Sequence, residues 1–320
     1  MIKFVYFLYG SAYEDCIINA VKENPNAFYF NPFKNGIVKK LHMIHNARPL
    51  NEKKELPLKT VWFKRAIRGM NIEKEDIIYF LLYESFHLSY SRNFLLYLRE
   101  KFPKCKLCFM YLNPVTDLIS GKLRKVSGYL DTVITFNKKD AEQYGLLFAP
   151  LQPYRLPICK DNSIPRSDVF FIGADKGRLP KLLAIYERLI SEGLKCDFHI
   201  VGVSEDQQKY SDDIVYNQKI PYSEVLARVD ASKCVLEVLQ KNEDYLSIRT
   251  FEALQYHRKL LTESKSILQY EFYDPKVIQV FDEPELINTD FIKISVDEEK
   301  YSVNYPGDVE VFHRFLRENI

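Results

Sequence analysis

Cys234-Val235-Leu236-Glu237-Val238-Leu239, then the polar stretch 240–246, then Ser247-Ile248-Arg249-Thr250-Phe251-Glu252-Ala253-Leu254, and finally Lys259-Leu260-Leu261-Thr262 decide the fold. A short apolar run rich in β-branched residues, a helix opening on a serine cap, and a second short apolar run make a strand–helix–strand unit, the building block of parallel sheets. The same alternation extends upstream, through strand Val169 to Ile172, helix Leu179 to Glu192, strand Asp197 to Val201 and helix Tyr222 to Val229.

In the first half the expected strands are Lys3 to Leu8, Ala27 to Phe30, Ile77 to Leu82, Lys106 to Tyr111 and Thr132 to Thr135. Helical patterning falls on Tyr13 to Lys22, Arg92 to Lys101, Val115 to Lys122 and Lys138 to Tyr144. Between the halves, residues 148–165 hold four of the fifteen prolines and neither period, which marks a linker. The pattern predicts an α/β protein with Rossmann-like domains at 1–150 and 166–304, a linker at 151–165, and an amphipathic C-terminal helix within 305–320 packing across both.

At 320 residues, 47% hydrophobic and 28% charged, the chain can bury two cores. Its longest apolar runs are far shorter than the roughly 20 residues that span a bilayer. Met1 to Tyr9 reads as a first strand rather than a secretory leader. The cysteines at 16, 105, 108, 159, 196 and 234 form no dense framework, so reduced thiols and a cytoplasmic location are expected.

Charge is uneven. Residues 31–70 hold ten Lys or Arg (Lys34, Lys39, Lys40, Arg48, Lys53, Lys54, Lys59, Lys64, Arg65, Arg68) against Glu52 and Glu55, an excess of eight, interleaved with Leu41, Met43, Ile44, Trp62 and Phe63. Such a segment suits peripheral contact with an anionic membrane; the alternative is a solvated helical face and a loop. No nucleic-acid partner is expected.

In open parallel sheets ligands bind beyond the carboxyl ends of the strands. After strand Val169 to Ile172 come Gly173-Ala174-Asp175-Lys176-Gly177-Arg178 and a helix with Pro180 in its first turn. The glycines admit close backbone approach, and Lys176 and Arg178 supply countercharge, as a diphosphate requires. Ser247 caps the later helix, so the amides of Ile248, Arg249 and Thr250 face its positive end with Arg249 adjacent. Glu252, a turn further on, could accept two hydrogen bonds from a ribose diol. The plainer reading makes Glu252 a partner of the helix dipole and Ser247 and Thr250 simple caps.

Ser247 to Gln255 followed by Lys259-Leu260-Leu261-Thr262-Glu263 resembles the donor-site segment of GT-B glycosyltransferases of bacterial capsule and lipopolysaccharide biosynthesis. The resemblance covers about 165–285. It implies two facing Rossmann-like domains, a nucleoside diphosphate sugar as co-substrate rather than a bound cofactor, no protein-bound metal, and a glycan or lipid-linked acceptor. It makes Glu252 the ribose ligand and Arg249 a phosphate ligand. Where many retaining relatives carry an acid-Gly-Phe-Gly run, this chain has Glu243-Asp244-Tyr245-Leu246, which leaves donor placement and anomeric outcome open.

A base on the acceptor side is sought after strand Ile77 to Leu82, where Glu84, Ser85 and His87 follow, with Asn113 and Asp117 after the next strand. Glu84 and His87 are the catalytic candidates; the alternative is that they cap the next helix. Cys105-x-x-Cys108 opens a strand and lacks a second pair, and His42 and His45 lack a third ligand. No nucleophile elbow, Walker loop or Gly-x-Gly-x-x-Gly is present, which counts against hydrolase, nucleoside triphosphatase and dehydrogenase readings. Two rivals to glycosyl transfer stay open: a non-catalytic nucleotide- or sugar-binding protein, and a sugar-nucleotide epimerase.

Overall fold

A computed structural model describes residues 1–9, 11–30, 36–51, 55–115, 121–150, 153–240, 244–294 and 307–320. Most of the helix expected at Val115 to Lys122 lies outside these residues, as do Asp117, Glu243 and Lys34, Glu52, Lys53 and Lys54 of the basic segment. The chain divides into two compact units, Met1–Arg155 with Gly307–Ile320, and Leu156–Pro306. Each is built on one six-stranded sheet.

The first sheet contains β1 (Ile2–Phe7), β2 (Ala27–Tyr29), β3 (Ile77–Tyr83), β4 (Lys106–Tyr111), β5 (Thr132–Thr135) and β6 (Leu147–Phe148), all parallel, in the order β2-β1-β3-β4-β5-β6. Strand β3 reads Ile-Ile-Tyr-Phe-Leu-Leu-Tyr without alternation, because helices and loops cover both its faces and six of its seven residues are buried. Phe80, Leu82, Phe109 and Val5 share one core with Phe94, Leu95 and Leu98 of helix Arg92–Lys101.

Helix Val309–Asn319 belongs to this first unit. Its Phe312, His313 and Leu316 are buried, the His313 ring stacks on Phe4 with centroids 3.6 Å apart, and His313 Nε2 lies 2.9 Å from the Tyr6 hydroxyl.

The second sheet contains β7 (Ser167–Ala174), β8 (Cys196–Val201), β9 (Val215–Tyr216), β10 (Ser232–Glu237), β11 (Lys259–Thr262) and β12 (Ile278–Val280), again all parallel, in the order β12-β11-β10-β7-β8-β9. Counted from its own first strand and read from the other edge, this is 3-2-1-4-5-6, the doubly wound nucleotide-binding order. Val169, Phe171, Phe198, Ile200 and Leu236 pack on Leu182, Ile185 and Leu189 of helix Leu179–Ser191.

Each sheet has one place where the chain reverses its direction of travel, β1/β3 in the first and β7/β10 in the second. At such a point the loops leaving adjacent strands diverge to opposite faces and leave a crevice at the carboxyl edge.

Candidate functional site

In the second unit the crevice lies between the loops that leave β7 and β10. The first runs Asp175-Lys176-Gly177-Arg178; Lys176 and Gly177 take left-handed φ of 47° and 80°, the second of which suits glycine. The exposed Lys176 sits at the turn, and Asp175 accepts the Leu179 N–H at 2.7 Å, tying the turn to the helix start.

Arg178, half-buried, folds back over the strand ends. Its Nη2 donates to the Ala174 carbonyl, its Nη1 to the Val238 carbonyl beyond β10, and its Nε to the Asp175 carbonyl at 3.1 Å. Gly173 makes room: a Cβ there would lie 3.1 Å from Arg178 Nη2 and 3.2 Å from the Phe171 ring. Burial lowers the Arg178 pKa. The sequence offered Arg178 as phosphate countercharge, whereas the structure engages it in clasping the two loops together.

The second loop leads to helix Ile248–Gln255 with Ser247 at its cap. Behind the cap lies Glu237, the last residue of β10, only 2% exposed. One of its oxygens accepts the Ser247 hydroxyl and N–H and, at 3.0 Å, the Thr250 hydroxyl, and the other accepts the Thr262 hydroxyl at the end of β11.

The proton directions follow from geometry. Ser247 Oγ accepts the Arg249 N–H at 3.1 Å and Thr262 Oγ1 accepts the Ser264 N–H at 2.9 Å, so both hydroxyl hydrogens turn toward Glu237. A carboxylate surrounded by donors is satisfied only when ionised. Burial pushes its pKa up, and the bonds from Ser247, Thr262 and Thr250 pull it back.

Glu252 is 0% exposed. Its Oε1 accepts the Tyr222 hydroxyl at 2.9 Å and its Oε2 accepts Arg249 Nη1 one turn earlier. Burial raises its pKa, opposed chiefly by the Arg249 charge. The structure thus brings Ser247, Arg249, Thr250 and Glu252 into one constellation at the sheet edge.

Two of the three amides read as phosphate donors are engaged, since Arg249 N–H goes to Ser247 Oγ and Thr250 N–H to the Ser247 carbonyl at 3.1 Å. A ribose diol reaching Glu252 would displace Tyr222 or Arg249. Glu237, Tyr222 and Thr262 were not singled out by sequence. The available signal for Glu237 was a lone acid inside an apolar strand.

Around this centre a polar rim continues. Glu263 accepts Lys181 Nζ and, at 2.8 Å, the Leu239 N–H, while Asp244 accepts the Ser264 hydroxyl and the Ser266 N–H, both at 3.0 Å.

In the first unit the crevice between β1 and β3 gathers acids and imidazoles. Ser11 caps helix Ala12–Val21 in a reciprocal box with Glu14, and Ser85, after β3, donates its hydroxyl to the same carboxylate across the reversal point. Glu84 accepts Asn113 Nδ2 at 2.6 Å and is half-buried, which raises its pKa. His87, exposed, opens the turn His87–Tyr90 with its ring centroid 5.5 Å from that of Tyr9, and partial desolvation of the ring by its neighbours, then the Lys122 charge, lower its pKa.

His42, weighed from sequence only as a metal ligand with His45, is buried beneath Tyr9, whose hydroxyl lies 2.7 Å from its Nδ1, and desolvation lowers its pKa to about 4. Glu84, half-buried and raised, is the kind of titratable group from which a proton acceptor is drawn.

A profile of a family described as Glycosyl transferase-like matches residues 182–294, a segment holding Glu237, Ser247, Arg249 and Glu252. Comparison with curated proteins finds no match. Among solved structures, one described as a UDP-N-acetylglucosamine 2-epimerase from Listeria monocytogenes is similar at 11% identity, covering 99% of this chain and 95% of that one, with a TM-score of 0.51. An alpha,alpha-trehalose-phosphate synthase (UDP-forming) from Burkholderia vietnamiensis is similar at 12% identity, 99% and 100% coverage and a TM-score of 0.53. Another from Burkholderia xenovorans, in complex with glucose-6-phosphate, gives 11%, 99%, 99% and 0.52. At this identity the likeness is one of fold, and the fold is the glycosyltransferase-like GT-B type.

Proposed function

We propose that the chain is a glycosyltransferase that moves a sugar from a nucleoside diphosphate sugar to a bacterial surface polysaccharide or lipid-linked glycan acceptor at the cytoplasmic side. The carrying observation is the ionic and hydroxyl constellation of Glu237, Ser247, Arg249, Thr250 and Glu252 at the reversal point of a doubly wound sheet, inside the segment matched by the Glycosyl transferase-like family. In this reading Glu252 exchanges Tyr222 for the ribose hydroxyls, and Lys176 and Arg249 face charge growing on the leaving diphosphate. Arg178 and Gly173 hold the shape of the cradle rather than the phosphate itself. Glu84, its pKa raised by burial, takes the proton of the attacking hydroxyl, with His87 three residues on in the same loop.

Two solved neighbours support a nucleotide-sugar donor by their descriptions as UDP-forming synthases. The epimerase neighbour supports a second reading, consumption of the nucleotide sugar without an acceptor.

Calorimetric titration with UDP, GDP, CMP and dTDP, on the native protein and on Glu252→Ala, tests the donor site. Binding of one nucleotide, weakened by about 1–3 kcal/mol in the variant, is expected for loss of a charged acceptor. Absence of binding by any of the four sinks the reading. Incubating the cognate nucleotide sugar alone separates the two reactions, because an epimerase releases an epimer or free sugar and a transferase waits for its acceptor.

A further inference from the structure

Helix Gly36–His45 carries apolar residues on its outward face as well as on its inward one, where Val38 packs against the core. Its inward positions carry His42, buried under Tyr9, and His45, whose Nδ1 accepts the Trp62 indole N–H at 2.7 Å. Its outward positions carry Ile37, Leu41 and Ile44, spaced by four and three, with Lys40 among them; their exposures are 70%, 55% and 60%. A helix facing water keeps polar residues on that stripe. Leu58 and Val61 extend the apolar surface, and among the described residues seven of the eighteen exposed large hydrophobics fall between 37 and 61. That is an uneven concentration in one stretch of the first unit.

Beside the stripe runs a groove of about 670 Å³ floored by Val38, Val61 and Trp62 and edged by Lys64, Arg65, Arg68 and Lys101. Val38, on the same helix as the stripe, lines the groove, so the two adjoin. Neither helix Gly36–His45 nor helix Thr60–Ala66 carries an acid, and no acid lines the groove.

We infer that this face of the first unit seats on a bilayer containing anionic phospholipid, the aliphatic stripe entering the headgroup boundary and the groove cations meeting lipid phosphates. An apolar stripe flanked by cations is the composition of an interfacial element. A second copy is a poor occupant, because two-fold pairing of this face would bring its cations together with no acid on it to meet them. A nucleic acid would use the cations but leave Ile37, Leu41 and Ile44 bare. The inference is independent of the nucleotide-sugar reading: neither stripe nor groove contributes to the loops at the second sheet.

Flotation of the full chain with vesicles of phosphatidylcholine alone, or of phosphatidylcholine mixed with phosphatidylglycerol, tests it. The protein is expected to float with the mixed vesicles and to be released by salt. Two variants at exposed positions, Ile37→Ser/Leu41→Ser/Ile44→Ser and Lys64→Glu/Arg68→Glu, each lose binding by about tenfold or more while melting like the native chain. Equal flotation with both vesicle types, no flotation with either, or full binding by both folded variants overturns the inference. So does concentration-dependent dimerisation in solution that the serine variant abolishes, or binding to single-stranded RNA that the charge-reversed variant loses and the serine variant keeps.

Discussion

Ser247 gives both its hydroxyl and its backbone N–H to one carboxylate oxygen of Glu237, a residue ten positions earlier in the chain. The cap of helix Ile248–Gln255 is therefore fixed from below by a buried charge at the end of β10. Because Thr262 binds the other oxygen, the same carboxylate joins the ends of β10 and β11 to the helix start.

Replacing Glu237 by Gln puts an amide N–H₂ where every neighbour is a donor. The variant is expected to lose about 1–3 kcal/mol of stability, the usual cost of an unmet buried polar group. Urea unfolding monitored by circular dichroism measures it, and an unchanged midpoint would show that the network tolerates a neutral side chain.

Arg249 and Glu252 form a pair in which the carboxylate is fully buried. Arg249→Ala strands that charge and should cost about 3–5 kcal/mol, and Arg249→Ala/Glu252→Gln should recover much of it. A double-mutant cycle by denaturant unfolding reads the coupling, and strict additivity would mean that Tyr222 alone satisfies Glu252.

Gly173→Ala tests the clasp. Its new methyl meets Arg178 Nη2 and the Phe171 ring at little more than 3 Å, so the guanidinium or the ring must shift by a few tenths of an ångström, which strains the bonds to the Ala174 and Val238 carbonyls. A loss of about 1–3 kcal/mol is expected from the overpacking, together with weaker nucleotide binding as the two loops part. Unchanged thermal stability would place the clasp outside the energetics of the edge.

His313 is buried against Phe4 and Tyr6, and burial lowers its pKa from 6.5 to about 3. The unfolded chain thus binds a proton between those values that the folded chain does not. Its contribution is full above the unfolded pKa and falls as the medium is acidified, by about 2 kcal/mol at pH 5. The stability difference between the native protein and His313→Gln should shrink by that amount between pH 7.5 and pH 5 in urea titrations; a constant difference would mean that the ring titrates normally.

The sheet frameworks were legible because buried parallel strands are continuous apolar runs. Lys106–Tyr111, Thr132–Thr135 and Lys259–Thr262 occur at the bounds expected from sequence. The strand read as Cys234 to Leu239 ends earlier, at Glu237. Val238 and Leu239 are apolar but give their backbone to Arg178 and Glu263 instead of a neighbouring strand.

Leu147–Phe148, Val215–Tyr216 and Ile278–Val280 escaped notice because two or three residues carry little period, whereas the equally short Ala27–Tyr29 was read as part of the run Ala27 to Phe30. Helix Gly36–His45 was obscured by having apolar residues on its outer face as well as its inner one. At the site, Ser247, Arg249 and Glu252 were readable as a cap and its neighbours. The convergence of Glu237, Tyr222 and Thr262 on them depends on strand adjacency, which no local spacing encodes.

Tyr6 and His313 touch across 307 positions of chain. During synthesis β1 emerges before the second unit, yet the surface around Phe4 and Tyr6 stays uncovered while the whole of Leu156–Pro306 is made, because the helix that shields it follows. The unit begun before the other is completed after it. Its aromatic face is the surface that a nascent-chain chaperone would meet, and closing it sets a late, long-range step in folding that the second unit need not await.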